Sequence, residues 1–197
     1  PSGPDGIEVA CLARDKATPM VRGLFPAGER ETVVRLLERS VTFLTCDNIG
    51  DVLDGATWHR TAWDLANLYL ASIGAKRLGA EEPCVVGLSE ETTCYVSLAY
   101  FDETDPFADF VVHEMAHVFH NWKRESVGLP HTRYREWLLH IDFRKREIFA
   151  YACEAYSRIQ ESATSGTERR RLLSEYASDW MPSAEGVERD ELVSVLT

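Results

Sequence analysis

Phe110-Val111-Val112-His113-Glu114-Met115-Ala116-His117-Val118-Phe119-His120 carries two histidines four residues apart, the first followed directly by a glutamate. The stretch is apolar on most sides, as expected of a helix buried in a core. Residues four apart share one helix face, so both imidazoles can reach a single metal ion. Glu114 lies between them, placed to take a proton from a water activated there. The H-E-x-x-H pattern also arises by chance, so the surrounding chain must supply the missing parts.

Working outward, Asp105-Pro106 is a good helix start, with Asp as N-cap and Pro at the first helical position, and predicts a helix from there to about Arg124. Before it lie two β-like runs, Cys84–Leu88 and Thr93–Phe101, with a hairpin loop at residues 89–92. After it Gly128-Leu129-Pro130 breaks the chain. Asp142–Gln160 then predicts a second strong helix, with apolar residues at Ile148, Phe149, Ala152, Ala155, Tyr156 and Ile159. Further helices are expected at Glu168–Trp180 and Val187–Leu196.

On the N-terminal side, Ala56–Leu78 has the longest helical periodicity, and Gly74 and Gly79 mark its end. Val41–Thr45 reads as a short strand, followed by the turn-rich Asp47-Asn48-Ile49-Gly50. Glu29–Arg39 is an amphipathic helix with Val33, Val34, Leu36 and Leu37 apolar. Residues 1–27, with prolines at 1, 4, 19 and 26, read as a loosely structured lead-in with one short strand at Ile7–Leu12. The expected fold is α+β: one mostly helical domain over residues 1–197, with a short mixed sheet preceding the metal-bearing helix.

A chain of 197 residues with 45% apolar content can bury a real core and is not disordered. No apolar run approaches the roughly 20 residues of a membrane span, and the first residues lack the features of a signal peptide. A net charge of −11 argues against nucleic acid and anionic membrane as partners. The charge is uneven: Asp47–Asp109 holds 12 acidic and 3 basic residues, whereas Lys123–Arg146 holds 7 basic and 3 acidic. That basic stretch fits either an acidic substrate segment or solvated loops and helix ends. Arg169-Arg170-Arg171 reads as the polar face of its helix. Five cysteines without zinc-knuckle or C-x-x-C spacing read as free thiols in a reducing compartment, hence a cytoplasmic location, with a Cys84–Cys94 bridge as the alternative.

A catalytic zinc usually takes three protein ligands and keeps one open position. His120 cannot be the third, because seven residues of helix rise about 10.5 Å while metal–nitrogen bonds are about 2.1 Å. Glu147 and Glu154, seven apart on the next strong helix with Tyr151 between them, are better placed. Alanines at 150, 152 and 155 would let the two helices approach closely. Glu147 is the first choice as ligand and Glu154 the alternative. If Glu147 ligates, Glu154 becomes a hydrogen-bond acceptor for His113 or His117. His120 is left either to support a ligand by a hydrogen bond from behind or to line the cleft.

An H-E-x-x-H helix after a strand, followed by a glutamate on a later helix, resembles the zincin metallopeptidases of the gluzincin type. The E-x-F-A-x-A run at Glu147–Ala152 is similar to the third-ligand segment of the anthrax lethal factor kind of zincin. The resemblance covers about residues 93–160 and does not reach the N-terminal third. The metzincin pattern needs Gly at position 120 and His at position 123, where this chain has His120 and Lys123. The resemblance implies Zn2+ as cofactor and a peptide or protein as substrate, and it gives part of Thr93–Phe101 the role of pairing with that substrate. It also calls for an oxyanion donor, with Tyr151 the first choice and Tyr134, His131 and His140 the others. Tyr156 and His59 are expected in or near the core. The expected activity is zinc-dependent peptide hydrolysis with Glu114 as general base. The alternatives are a catalytically inactive zincin-like binding domain with a structural metal, and a helical protein with a chance motif.

Overall fold

The computed structural model describes residues 7–79, 86–179 and 187–197. It is α+β and mostly helical, with one small mixed sheet among the described residues. The N-terminal region departs from expectation. Instead of a loose lead-in with a strand at Ile7–Leu12, Val9–Leu24 forms helix α1. Val9, Ala13, Ala17, Met20 and Val21 recur at helical spacing and are buried. They pack in one cluster with Val33, Val34 and Leu37 of α2 (Ala27–Glu38). Pro19 lies inside α1 and cannot donate to the preceding turn. Burial of the apolar stripe outweighs that loss, and Thr18 Oγ1 donates to Arg14 O at 2.7 Å in the same turn.

The sheet has order β1-β3-β2, with β1 Val41–Phe43, β2 Gly87–Glu90 and β3 Thr93–Val96. β3 is central, parallel to β1 and antiparallel to β2. Both predicted runs of the hairpin shift. Of the strand expected at Cys84–Leu88, residues 84 and 85 lie outside the described residues; the described strand is Gly87–Glu90, so half of the expected loop is ladder and the turn is Glu91-Thr92, with Glu91 at φ +48°. The strand expected to continue to Phe101 stops at Val96, and Leu98–Asp102 winds into a 3-10 turn begun by Ser97, whose hydroxyl accepts from Ala99 N at 3.1 Å.

β1 is also shorter than Val41–Thr45. The Asn48 side chain takes Phe43 O and Thr45 N, each at 2.8 Å, and turns the chain into α3 (Ile49–Gly55) where only a turn was expected. α4 spans His59–Ser72 rather than 56–78. It stops before Gly74, whose φ of +68° is the left-handed conformation that glycine adopts freely. The buried Asn67 then holds the following segment, accepting from Leu78 N at 2.6 Å and donating to Leu78 O at 3.1 Å.

Side chains alternate across the sheet. Val41, Phe43, Cys94 and Val96 face the main core, which includes Val111, Val112, Met115 and Phe119 of helix α5 (Phe110–Asn121). Leu44, Leu88 and Tyr95 belong to a separate cluster with Leu65 and Leu68 of α4. Helix α6 (Arg146–Ser162) lies against α5, with Ala150, Ala152 and Ala155 buried. Ile148, Ala152 and Ala155 also meet Tyr176 of α7 (Gly166–Asp179) and Leu192 of α8 (Arg189–Leu196).

Helices α5 and α6 start later than predicted. Asp105 caps only a local turn, accepting from Phe107 N at 2.8 Å. The N-cap of α5 is Asp109, which accepts from Val112 N at 3.2 Å. α5 ends before Arg124 because Trp122 turns extended and Lys123 bridges to Trp137. Asp142 caps a 3-10 turn, Phe143–Lys145, ahead of α6. Tyr156 and His59 are not core residues. Tyr156 is exposed beside Gly23, and His59 is exposed at the first turn of α4. Among the described residues no helix is long and apolar enough to cross a membrane. Cys11, Cys46, Cys94 and Cys153 are unbridged. A Cys84–Cys94 bridge falls on Cys84, outside the described residues.

Candidate metal centre

Helix α5 presents His113 and His117 on the face that meets α6, and α6 brings Glu147 to them from its first turn. His113 Nε2 lies 3.4 Å from Glu147 Oε2, and His117 Nε2 lies 3.4 Å from Glu147 Oε1. One donor atom from each residue falls within 4.8 Å of the others, close enough for all three to hold one ion. Among the described residues no fourth donor joins this group.

Glu154 is two turns further along α6 and sits behind His113. Its Oε2 is 3.0 Å from His113 Nδ1, and its Oε1 accepts from the backbone N of Asp109 at 2.7 Å. When His113 is neutral, an acceptor at Nδ1 fixes the tautomer whose Nε2 lone pair is available to a metal ion. Asp109 is itself held: Lys16 Nζ lies 2.8 Å from its Oδ2 and 2.9 Å from Glu161 Oε1. The unexpected helix α1 thus braces the N-terminus of α5 through a buried ion pair.

His120 stands apart from the cluster. Its Nδ1 donates to Leu139 O at 3.0 Å, and its ring meets Phe149 at 5.0 Å. Tyr151 lies edge-on to His113, with ring centroids 4.7 Å apart. The other candidate donors lie on the loop between α5 and α6. Tyr134 is 80% exposed, His131 pairs with Glu125 at 2.7 Å, and His140 is exposed.

Glu114 points the other way along the helix face, toward the sheet. It is buried against β2, where a Cβ built on Gly87 would come within 2.6 Å of Glu114 Cγ. Ser89, two residues along the same strand face, hydrogen-bonds to the Glu114 carboxylate. Burial pushes the Glu114 pKa up to about 7, while neighbouring His113 and the Ser89 hydrogen bond pull it down. His117 moves the opposite way, to about 3, because burial and the charge of His113 both disfavour its protonation. Burial likewise opposes charging of His113, but Glu154 and Glu147 outweigh it and hold its pKa well above the ordinary value. The hydrogen bond from His113, followed by the charges of both histidines, holds Glu147 below the usual carboxylate range against its own burial.

Sequence reasoning missed Gly87, Ser89, Asp109 and Lys16. Gly87 left a signal, since a glycine in a strand marks a close approach by another group. Lys16 left none, because its partner is remote in sequence. The strand assignment is corrected as well: β3 is paired on both sides, so Thr93–Val96 has no free edge, and the outer strand beside Glu114 is β2. Part of the basic stretch is neutralised, three of its seven cations pairing with carboxylates. Lys123 pairs with Glu136 at 2.6 Å, Arg124 with Glu29, Lys145 with Glu191 at 3.6 Å, and Arg146 donates to Asn121 Oδ1 at 2.7 Å. No protein-family model, curated protein or solved structure matches the chain.

Proposed function

We propose that the protein is a zinc-dependent peptidase, with His113, His117 and Glu147 as ligands and Glu114 as general base. One observation carries the reading: two Nε2 atoms and a carboxylate converge beside a buried glutamate that is seated on the outer strand of a sheet. Two imidazoles and one carboxylate are donors that suit zinc. A closed structural site would need a fourth protein donor, and the described group has three. Zn2+ held there would bring the pKa of a coordinated water toward neutrality and polarise a carbonyl oxygen.

The chain's own residues do the rest. Glu114, whose carboxylate is buried beside the ligands, would accept the proton of the activated water and return it to the leaving amine. Glu154 holds His113 in the ligating tautomer. Tyr151, against the His113 ring, is the candidate donor to the developing oxyanion. An extended peptide adds to the outer edge of β2 through main-chain hydrogen bonds, which sets its scissile bond at the level of Gly87, Ser89 and Glu114. The unbridged thiols fit a reducing compartment such as the cytoplasm.

The test is Glu114→Gln assayed on a mixed peptide library, with zinc content measured on the same sample. Retained zinc with hydrolysis reduced by about 10²–10⁴-fold supports the reading. Undiminished hydrolysis refutes it.

A further inference from the structure

A second site lies away from the histidines, in a groove of about 480 Å³ at the end of the sheet. One wall is a stripe of α2 at helical spacing: Thr32, Arg35, Leu36 and Arg39. The other wall is the hairpin end, Thr92 and Thr93, and the far side is closed by Trp122 and Val127. The opposite stripe of α2, Val33, Val34 and Leu37, is the one committed to the core. Leu36, Trp122 and Val127 pack against that core while partly exposed, whereas Arg35 and Arg39 stand in solvent.

The groove is chemically one-sided. Among the described residues its only ionisable lining groups are two arginines, in a chain with net charge −11. The Arg39 side chain has no partner among the described residues. Arg35 Nε donates to the Glu31 backbone O at 3.4 Å and lies 3.8 Å from Glu31 Oε1, and that carboxylate is already engaged by Arg14 at 3.1 Å. Threonine hydroxyls add neutral donors, and Trp122 adds a flat apolar surface. The wall that carries Trp122 and Val127 is fixed in place. Arg124, fully buried between them in sequence, pairs with Glu29 of α2 and donates from Nε to Pro130 O at 3.0 Å.

We propose that this groove binds a small organic oxyanion, a phosphate or carboxylate carried on a flat ring. Two arginine forks one helical turn apart match the oxygens of such an anion. The indole takes the ring, and the volume is that of a small-molecule site. The proposal is independent of the metal centre, since none of its residues is a candidate ligand or base.

The experiment is isothermal titration of the full chain with phenyl phosphate, benzoate and inorganic phosphate. It is repeated on Arg35→Gln/Arg39→Gln, on Trp122→Leu, and on Arg22→Gln as a control at an exposed arginine of α1. Thermal unfolding verifies that each variant is folded. At least one ring-bearing anion should bind with a Kd below about 1 mM and more tightly than inorganic phosphate. Comparison of phenyl phosphate with benzoate shows which head group is taken. The double arginine variant should lose about tenfold or more in affinity, Trp122→Leu should lose the preference for a ring, and Arg22→Gln should match the wild type. Failure of both ring-bearing anions to bind, or unchanged affinity in the folded double variant, overturns the proposal.

Discussion

The two faces of the hairpin β2–β3 differ sharply, although their residues alternate one by one along the same strands. On one face Gly87 and Ser89 meet Glu114, and behind Glu114 lie His113, His117, Glu154, Asp109 and Lys16. On the other, Leu88 and Tyr95 meet Leu44, Leu65 and Leu68. The second face does what a sheet needs for stability, since buried apolar area is favourable. The first packs Cys94 and Val96 into the main core as well, but beside them it buries ionisable groups, which is unfavourable unless they are paired. A fold that needed only a core would treat both faces alike. On the proposed function the α5 face carries the chemistry, and each experiment below sets one face against the other.

The largest effect belongs to Glu114→Gln, the catalytic test of the α5 face. On the proposed function, peptide hydrolysis falls by about 10²–10⁴-fold while zinc is retained. The matching change on the other face is Leu65→Ala. It should lower stability by about 3 kcal/mol in denaturant unfolding, as large-to-small core substitutions do, and leave zinc content and the hydrolytic rate of folded protein unchanged. Loss of zinc in Leu65→Ala would show that the two faces are not separable.

Lys16→Ala probes the brace beneath the site. It strands the buried Asp109 carboxylate and should cost about 3 kcal/mol of stability. Glu154→Gln then separates bracing from ligation. It should weaken zinc affinity about 10–100-fold, the loss typical of an outer hydrogen-bond partner. A loss as large as that of Glu147→Ala would make Glu154 a ligand.

The smallest effect is a proton count. Against its own burial, Glu154 and Glu147 hold the His113 pKa well above the ordinary value in metal-free protein, which favours its charged form. Ligation requires it neutral. Zinc uptake at pH 7 should therefore release about one proton, read from calorimetry in buffers of different ionisation enthalpy, and affinity should rise with pH. The sign for Glu114 is separate. Its pKa of about 7 in the folded protein exceeds the ordinary 4.5, so metal-free protein loses stability as pH rises between those values, and Glu114→Gln removes that loss.

The sequence made the fold class and the helices around the site legible because their apolar stripes are periodic and uninterrupted. Val33, Val34 and Leu37 of α2, and Ile148, Ala152, Ala155 and Ile159 of α6, are buried as the pattern implied. Helix α1 was missed because Pro19 reads as a breaker, while its real signal was the spacing of Val9, Ala13, Ala17, Met20 and Val21. Helix starts were placed early because Asp105 and Asp142 cap short turns with the same chemistry that caps helices. Within the site, the i, i+4 histidines and the rise that separates His120 follow from helix geometry alone. Gly87, Ser89 and Lys16 reach the site only through tertiary packing, and strand order decides which strand is outermost. Local periodicity carries neither.

The central claim is that His113, His117 and Glu147 hold one zinc ion with a position left open. X-ray absorption at the zinc edge on protein loaded with one equivalent tests it directly. The expected shell contains two imidazole nitrogens, a carboxylate and a water, and loses the carboxylate in Glu147→Ala. A shell of four protein ligands, or a shell unchanged by Glu147→Ala, would contradict it.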